Sequence, residues 1–267
     1  MKLQSIRRRL RIPAGLAIAG LCLGLAIAEA PAEIIQRGEL RVSFTGKINP
    51  TKLPRSGSAP IAVSLGARVT TIDRSTPPQL RRIEIAINRN GRFDFAGLPT
   101  CRIERIQPSS TADALRACGS AKVGEGRFGA DVVIPEQSPF PSKGRLVAFN
   151  GTERGRPVIL AHVFGTEPIP TSYTFPLRIE HDRDAFGTVL RANLPEVTAR
   201  IAYVTQISLT LRRQFRHRGQ TRSYLSASCP APKGFPGAVF PMARARLDFT
   251  GGPTLTETLT RNCRVAG

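Results

Sequence analysis

Apolar and polar residues alternate with period two through most of this chain, the spacing of strands that bury one face. Glu39–Gly46 (ELRVSFTG) and Ile61–Ile72 (IAVSLGARVTTI) show it early, separated by a loop over Asn49–Pro60 rich in Pro, Ser and Gly. Leu80–Asn88 (LRRIEIAIN) is the most regular run and places Ile83, Ile85 and Ile87 on one face. Asn90–Gly91 follows as the predicted turn of a tight hairpin that returns through Phe93 and Phe95. Val123–Ile134 is another strand region, and Pro135, Pro139 and Pro141 then mark the clearest boundary. Beyond it, Leu146–Phe149 and Val158–Phe164 flank the turn region NGTERGRP, and Tyr173–Glu180 and Phe186–Leu194 flank HDRDA. Ile201–Leu211 is a long alternating strand, and Ala243–Phe249 and Leu255–Val265 close the chain around Gly251–Gly252.

One segment breaks the alternation. Pro108–Thr111 is a helix-start signal, Asp113 falls in the first turn, and Gly119 stands where a helix ends. Leu115 and Cys118 share a face of that helix, which predicts that it lies on the sheet with Cys118 inward. About a dozen short strands and one short helix near 110–118 predict an all-β fold, an antiparallel β-sandwich or jelly-roll-like domain. Residues 29–267 are read as a single large domain, the alternative being two smaller β domains split near 135–143.

The start of the chain reads as a signal peptide over residues 1–28. Arg7, Arg8, Arg9 and Arg11 precede an apolar run from Ile12 to Ala28, and Ala26 and Ala28 offer an A-x-A cleavage site. An uncleaved anchor is the competing reading, but the run is short for a span and contains Pro13. The expected location is therefore secreted or cell-envelope-associated, with no transmembrane span after cleavage. Four cysteines remain beyond the signal: Cys101, Cys118, Cys229 and Cys263. An even number in an exported chain points to two disulfides; of three connectivities, the sequence-local pairs 101–118 and 229–263 are favoured. Removing the five basic residues of the signal takes the formal charge from +20 to +15. Such a charge draws a protein to anionic polymers or lipid headgroups, unless it merely reflects an Arg- and Ala-rich composition.

The segment LPTC…ALRACGSAKVGEG resembles one that recurs in uncharacterised secreted proteins of high-GC Gram-positive bacteria. The matching positions are Leu98, Pro99, Cys101, Cys118, Ser120, Val123 and Gly124, and SYLSASCPAPKGFPGAVFPMARA is similar to exported proteins of the same kind. The resemblance covers about a tenth of the chain. It implies an extracellular β-domain and transfers no functional residue.

Chemistry-bearing groups are few. His162 sits in the apolar strand VILAHVFG, where a core histidine is the simpler reading. Glu180, His181, Asp182 and Asp184 gather acid and imidazole groups within one short turn, as a metal or acid/base site requires, but a polar hairpin turn is the simpler explanation. Phe186 and Asn193 stand where a calcium loop needs an oxygen donor and a bidentate glutamate. There is no G-x-S-x-G elbow and no C-x-x-C pair, so no catalytic residue, metal or cofactor is assigned. Asn150-Gly151-Thr152 matches a glycosylation acceptor, although Asn-Gly also suits a turn. Phe235 and Phe240, in the proline-rich loop Cys229–Pro241, are read either as partner contacts or as core caps.

The strongest candidate is LRRQFRHRGQTRSY, where Arg212, Arg213, Arg216, Arg218 and Arg222 crowd a strand end and a turn. Guanidinium groups bind phosphate or carboxylate bidentately, so an anionic envelope polymer or a lipid headgroup is the expected partner. Nucleic acid is not expected: export separates the two, and base-stacking aromatics are scarce. The leading expectation is a non-catalytic binding or structural module at the cell envelope. The alternatives are a secreted hydrolase using Glu180, Asp182, Asp184 and His162, and a lipid carrier with a continuous apolar cavity.

Overall fold

The computed structural model describes residues 32–167, 170–183, 185–194, 202–252 and 254–266; the predicted signal peptide and Asp184 lie outside them. The chain is all-β and sandwich-like, with one short helix. In chain order the strands begin with β1 (Glu33–Arg37), β2 (Leu40–Asn49), β3 (Lys52–Leu53), β4 (Ala59–Pro60), β5 (Ala62–Thr71), β6 (Leu80–Asn88) and β7 (Gly91–Phe93). After helix α1 (Thr111–Cys118) come β8 (Lys122–Val132), β9 (Phe140–Glu153), β10 (Arg156–Gly165), β11 (Thr171–His181) and β12 (Phe186–Asn193). The last are β13 (Ala202–Leu211), β14 (Gln214–His217), β15 (Gln220–Ser223), β16 (Leu225–Ala227), β17 (Gly237–Phe249) and β18 (Thr254–Val265).

Thirteen of these strands form one sheet in the order β1-β2-β5-β13-β8-β9-β10-β11-β12-β6-β17-β18-β3. All its pairings are antiparallel except the short β18–β3 contact. Strands from both sides of the proline-marked segment share it, because β8 pairs with β9 across that segment. The sheet curls until β18 lies against β1 and β2. Alternation is the reason: β2 buries Leu40, Val42, Phe44 and Ile48 and exposes residues between them, and an apolar face this wide leaves water only by curling. Ile83, Ile85 and Ile87 face this interior, as their spacing predicts.

A single guanidinium joins the two margins of the sheet. Arg261 of β18 donates Nε to the Gly46 carbonyl of β2 at 2.7 Å and forms a two-point ion pair with Glu33 of β1. Gly46 permits the approach, since a Cβ there would stand 2.6 Å from Met242 Cε and 2.9 Å from Leu259 Cδ1.

On β9 and β10 the alternation disappears, because both faces are covered. Leu146, Ala148, Ile159 and Ala161 face the interior, whereas Val147, Phe149, Val158 and Leu160 pack outward against α1, Ile106 and the Cys101–Cys118 disulfide. Ser110 caps α1 by accepting the Asp113 amide at 3.1 Å, and the helix buries Ala114 and Cys118. Leu115 is only half-buried, and Gly119 keeps right-handed helical angles and continues into a 3-10 turn rather than ending the helix in a left-handed one.

The predicted Asn90–Gly91 hairpin does not form. Asn88 Oδ1 instead accepts the Asn90 amide at 3.0 Å, and β7 leaves the large sheet to pair with β16 in a three-stranded sheet, β4-β16-β7. Aromatic packing draws it there: Tyr224 is fully buried, with Phe93 and Phe95 edge-on at 5.5 and 5.6 Å. This small sheet covers one end of the curled sheet. The β9–β10 and β14–β15 turns use Arg154–Gly155 and Arg218–Gly219, both pairs at positive φ, as a two-residue hairpin turn requires. The Cys229–Cys263 disulfide fastens the loop before β17 to β18 at the covered end.

Replacing Arg261 by Ala is expected to lower unfolding free energy by roughly 3 kcal/mol, because it leaves Glu33 unpaired and Gly46 without its donor. Glu33→Ala is expected to cost less, since the Gly46 bond survives. Urea unfolding of both single variants and the double variant measures the coupling, and additivity would contradict a joint closure.

Candidate functional site

The five arginines singled out in the sequence divide among three places. Chain register decides the division. In the β14–β15 hairpin Gln214 pairs with Ser223 and Arg216 with Thr221 on one face, while Phe215–Arg222 and His217–Gln220 occupy the other. Arg218 and Arg222 line a hollow of about 440 Å³ with Ala96, His217 and Gln220. There Arg222 already pairs with Asp94 at 2.7 Å, so its charge is largely spent. Arg216 is exposed on the opposite face.

Arg212 and Arg213 lie elsewhere, at the base of the hairpin. They line an open cleft of about 490 Å³ with Asn49, Pro60, Ile61, Ala62, Gln214 and Ser223. Backbone bonds hold the base in place: the Arg212 amide donates to Val123 O at 2.9 Å, and the Tyr224 amide donates to Arg213 O at 2.8 Å. Arg213 is half-buried, and its Nε is fully enclosed without a hydrogen-bond partner. None of the residues lining the cleft is acidic. Two guanidiniums, two side-chain amides and one hydroxyl around an acid-free cleft suit a phosphate or carboxylate. Ser223 Oγ donates to Leu225 O at 2.7 Å and has no imidazole or carboxylate among the lining residues to activate it. Sequence reading missed Asn49, because it arrives from β2, far away in the chain, and passed over Gln214 and Ser223 within the arginine-rich segment itself.

The hydrolase grouping is not assembled among the described residues. His162 is fully buried on the outer face of β10 beneath the α1 cover, with Nδ1 3.1 Å from Thr174 Oγ1. Thr174 stands opposite His162, and Glu180 lies six positions further along β11, about 20 Å away. Glu180 is bound to Arg191, which also holds Glu84 at 2.9 Å. Asp182 accepts the Arg183 amide at 2.7 Å in a turn. No three His, Cys, Asp or Glu side chains converge as a metal site among the described residues. The most strongly acidified carboxyl, Glu125, is drawn to about 2 by hydrogen bonds from Lys122 and Arg145, an exposed ion cluster rather than a base.

Asn150 is 1% exposed, with its amide donating to Pro99 O at 3.0 Å, so the folded chain offers no glycan acceptor there. Most positions of the LPTC…ACGSAKVG segment are held by packing or covalent bonds, whereas Pro99 and Ser120 are exposed. Leu98 and Val123 are buried, Cys101 and Cys118 are joined, and a Cβ at Gly124 would stand 2.4 Å from Thr210 O. The interior retains a cavity of about 90 Å³ among Phe44, Leu65, Ile85, Ile207 and Ala245, against the 300 Å³ or more usual for ligand pockets. No described helix is long and apolar enough to cross a membrane.

Burial pushes the His162 imidazole below its ordinary value, so the folded state holds it neutral. The unfolded chain binds a proton near pH 6.5 that the folded chain refuses, so stability is expected to fall as pH drops below that point, by at most about 1.4 kcal/mol per unit. Urea midpoints between pH 7.5 and 5.5 should show this, and His162→Leu should flatten that part of the profile. The chain matches no protein-family model, and no curated protein or solved structure matches it.

Proposed function

We propose that this protein is an exported, disulfide-stapled β-domain that binds an anionic cell-envelope polymer without transforming it. One observation carries the reading: the adjacent residues Arg212 and Arg213 both line a cleft that no acidic residue lines. The cleft is open, and the net positive charge of the chain would gather polyanions toward it. The sequence of residues 1–28 and the two disulfides support an oxidising, extracytoplasmic location.

Calorimetric titration with polyphosphate and with polygalacturonate, at low and high salt, tests the binding and separates phosphate from carboxylate preference. Binding is expected to weaken with salt, and Arg212→Gln/Arg213→Gln is expected to lose more than about tenfold, the effect of one charge-assisted hydrogen bond. Arg213→Lys keeps charge but loses the planar fork, and should recover only part. Arg218→Gln, in the other hollow, should leave affinity nearly unchanged. Equal binding by the wild type and the double variant would refute the cleft.

A further inference from the structure

The loop that leads into β17 and the first residues of that strand present two large apolar side chains to water. Phe235 is 60% exposed and Val239 69%, while Phe240 between β17 and the core is buried. The sequence allowed Phe235 and Phe240 to be contacts or caps; the structure assigns one to each role. Phe235 cannot fold away, because its loop is fastened from four sides. The Cys229–Cys263 disulfide holds its start, and the Cys229 amide donates to Pro54 O at 2.9 Å. The Arg55 guanidinium spans the loop, reaching Ala231 O at 2.6 Å, Phe235 O at 2.7 Å and the Pro232 carbonyl. The Val265 amide fastens its end to Pro236 O at 2.8 Å.

Cations surround these apolar side chains. Gly237 pairs with Arg264, Arg264 with Lys52, and Val239 with Asn262. Register partners and residues two apart share a face, so Val239, Asn262, Arg264 and Lys52 lie on one exposed outer face. Lys233 is exposed two residues before Phe235. Residues 51–60, 229–241 and 258–266, which build this surface, contain no Asp or Glu.

The geometry points to a second interaction surface here: Phe235 and Val239 enter the interfacial layer of an anionic lipid bilayer, with Lys52, Lys233 and Arg264 on its headgroups. Two isolated side chains fall far short of the roughly 800 Å² per partner that a specific protein interface buries. A bilayer needs no shape complementarity; it accepts single apolar side chains and rewards basic neighbours. None of the cleft arginines belongs to this surface, so it stands or falls separately from polymer binding.

The chain has no tryptophan, which makes a site-specific reporter possible. In the full-length oxidised protein, Phe235→Trp should shift its emission to the blue on vesicles of phosphatidylcholine with phosphatidylglycerol. Brominated lipid should quench it. Ile72→Trp, 54% exposed at the opposite end of β5, should respond to neither, which separates this contact from any membrane binding by residues 1–28. Changing Lys52, Lys233 and Arg264 together to Gln in the Phe235→Trp protein should abolish the response at moderate salt. Phe235→Ser should weaken co-sedimentation about tenfold relative to wild type, as the loss of one inserted side chain requires. Arg212→Gln/Arg213→Gln should leave the vesicle response intact. An unchanged Phe235→Trp emission, or an equal response from Ile72→Trp, would overturn the proposal.

Discussion

A wide β-sheet has two margins, and exposed margins recruit other strands. Here the ion pair and backbone bond of Arg261 bring β18 against β1 and β2, and the rest of the molecule follows from that closure. Once the sheet is curled, its apolar face is shared by strands that are far apart in the order, so Phe44 and Leu259 belong to one core. The outer face must then be polar, except where another layer lies over it. Helix α1 is that layer on β9 and β10, and the three-stranded sheet around Tyr224 is its counterpart at one end. Each was placed by apolar surface that closure alone left in water.

Much of this was legible in the residues. Period-two runs such as Leu40–Ile48 and Ile83–Ile87 mark strands because one side of each meets water, and the cysteine spacing favoured the pairs that form. The start signal over Pro108–Thr111 located the helix, and Ser110 is the residue that caps it. Other features were hidden for physical reasons. Leu146–Phe149 and Val158–Phe164 read as strands, but their dense apolar runs did not show that a second layer covers the outer face and erases the alternation. Asn90–Gly91 carried a hairpin signal, yet side-chain capping by Asn88 and aromatic packing on Tyr224 sent β7 to another partner. Local chemistry proposes a turn; the tertiary partner decides it.

The candidate site shows the same division. The arginine-rich segment was conspicuous, but charge alone could not say which guanidiniums remain available. Arg222 has an aspartate, Arg216 faces open water, and only Arg212 and Arg213 share an acid-free cleft. That cleft and the Phe235 loop both belong to the covered end, where connecting segments rather than sheet strands supply the surface. The sheet is a frame with a regular, ion-paired exterior, and irregular backbone at one end supplies what a ligand could recognise.

The seam also orders events in time. Glu33 and Arg261 stand near opposite ends of the described chain, and β5 pairs with β13 only after seven intervening strands have been made. Contacts of such sequence separation must be closed against chain entropy before they return any stability. No amino-terminal portion can therefore bury its apolar face on its own. Until β13 emerges one side of β5 remains an open margin, and until β18 emerges the curl cannot close against β1 and β2.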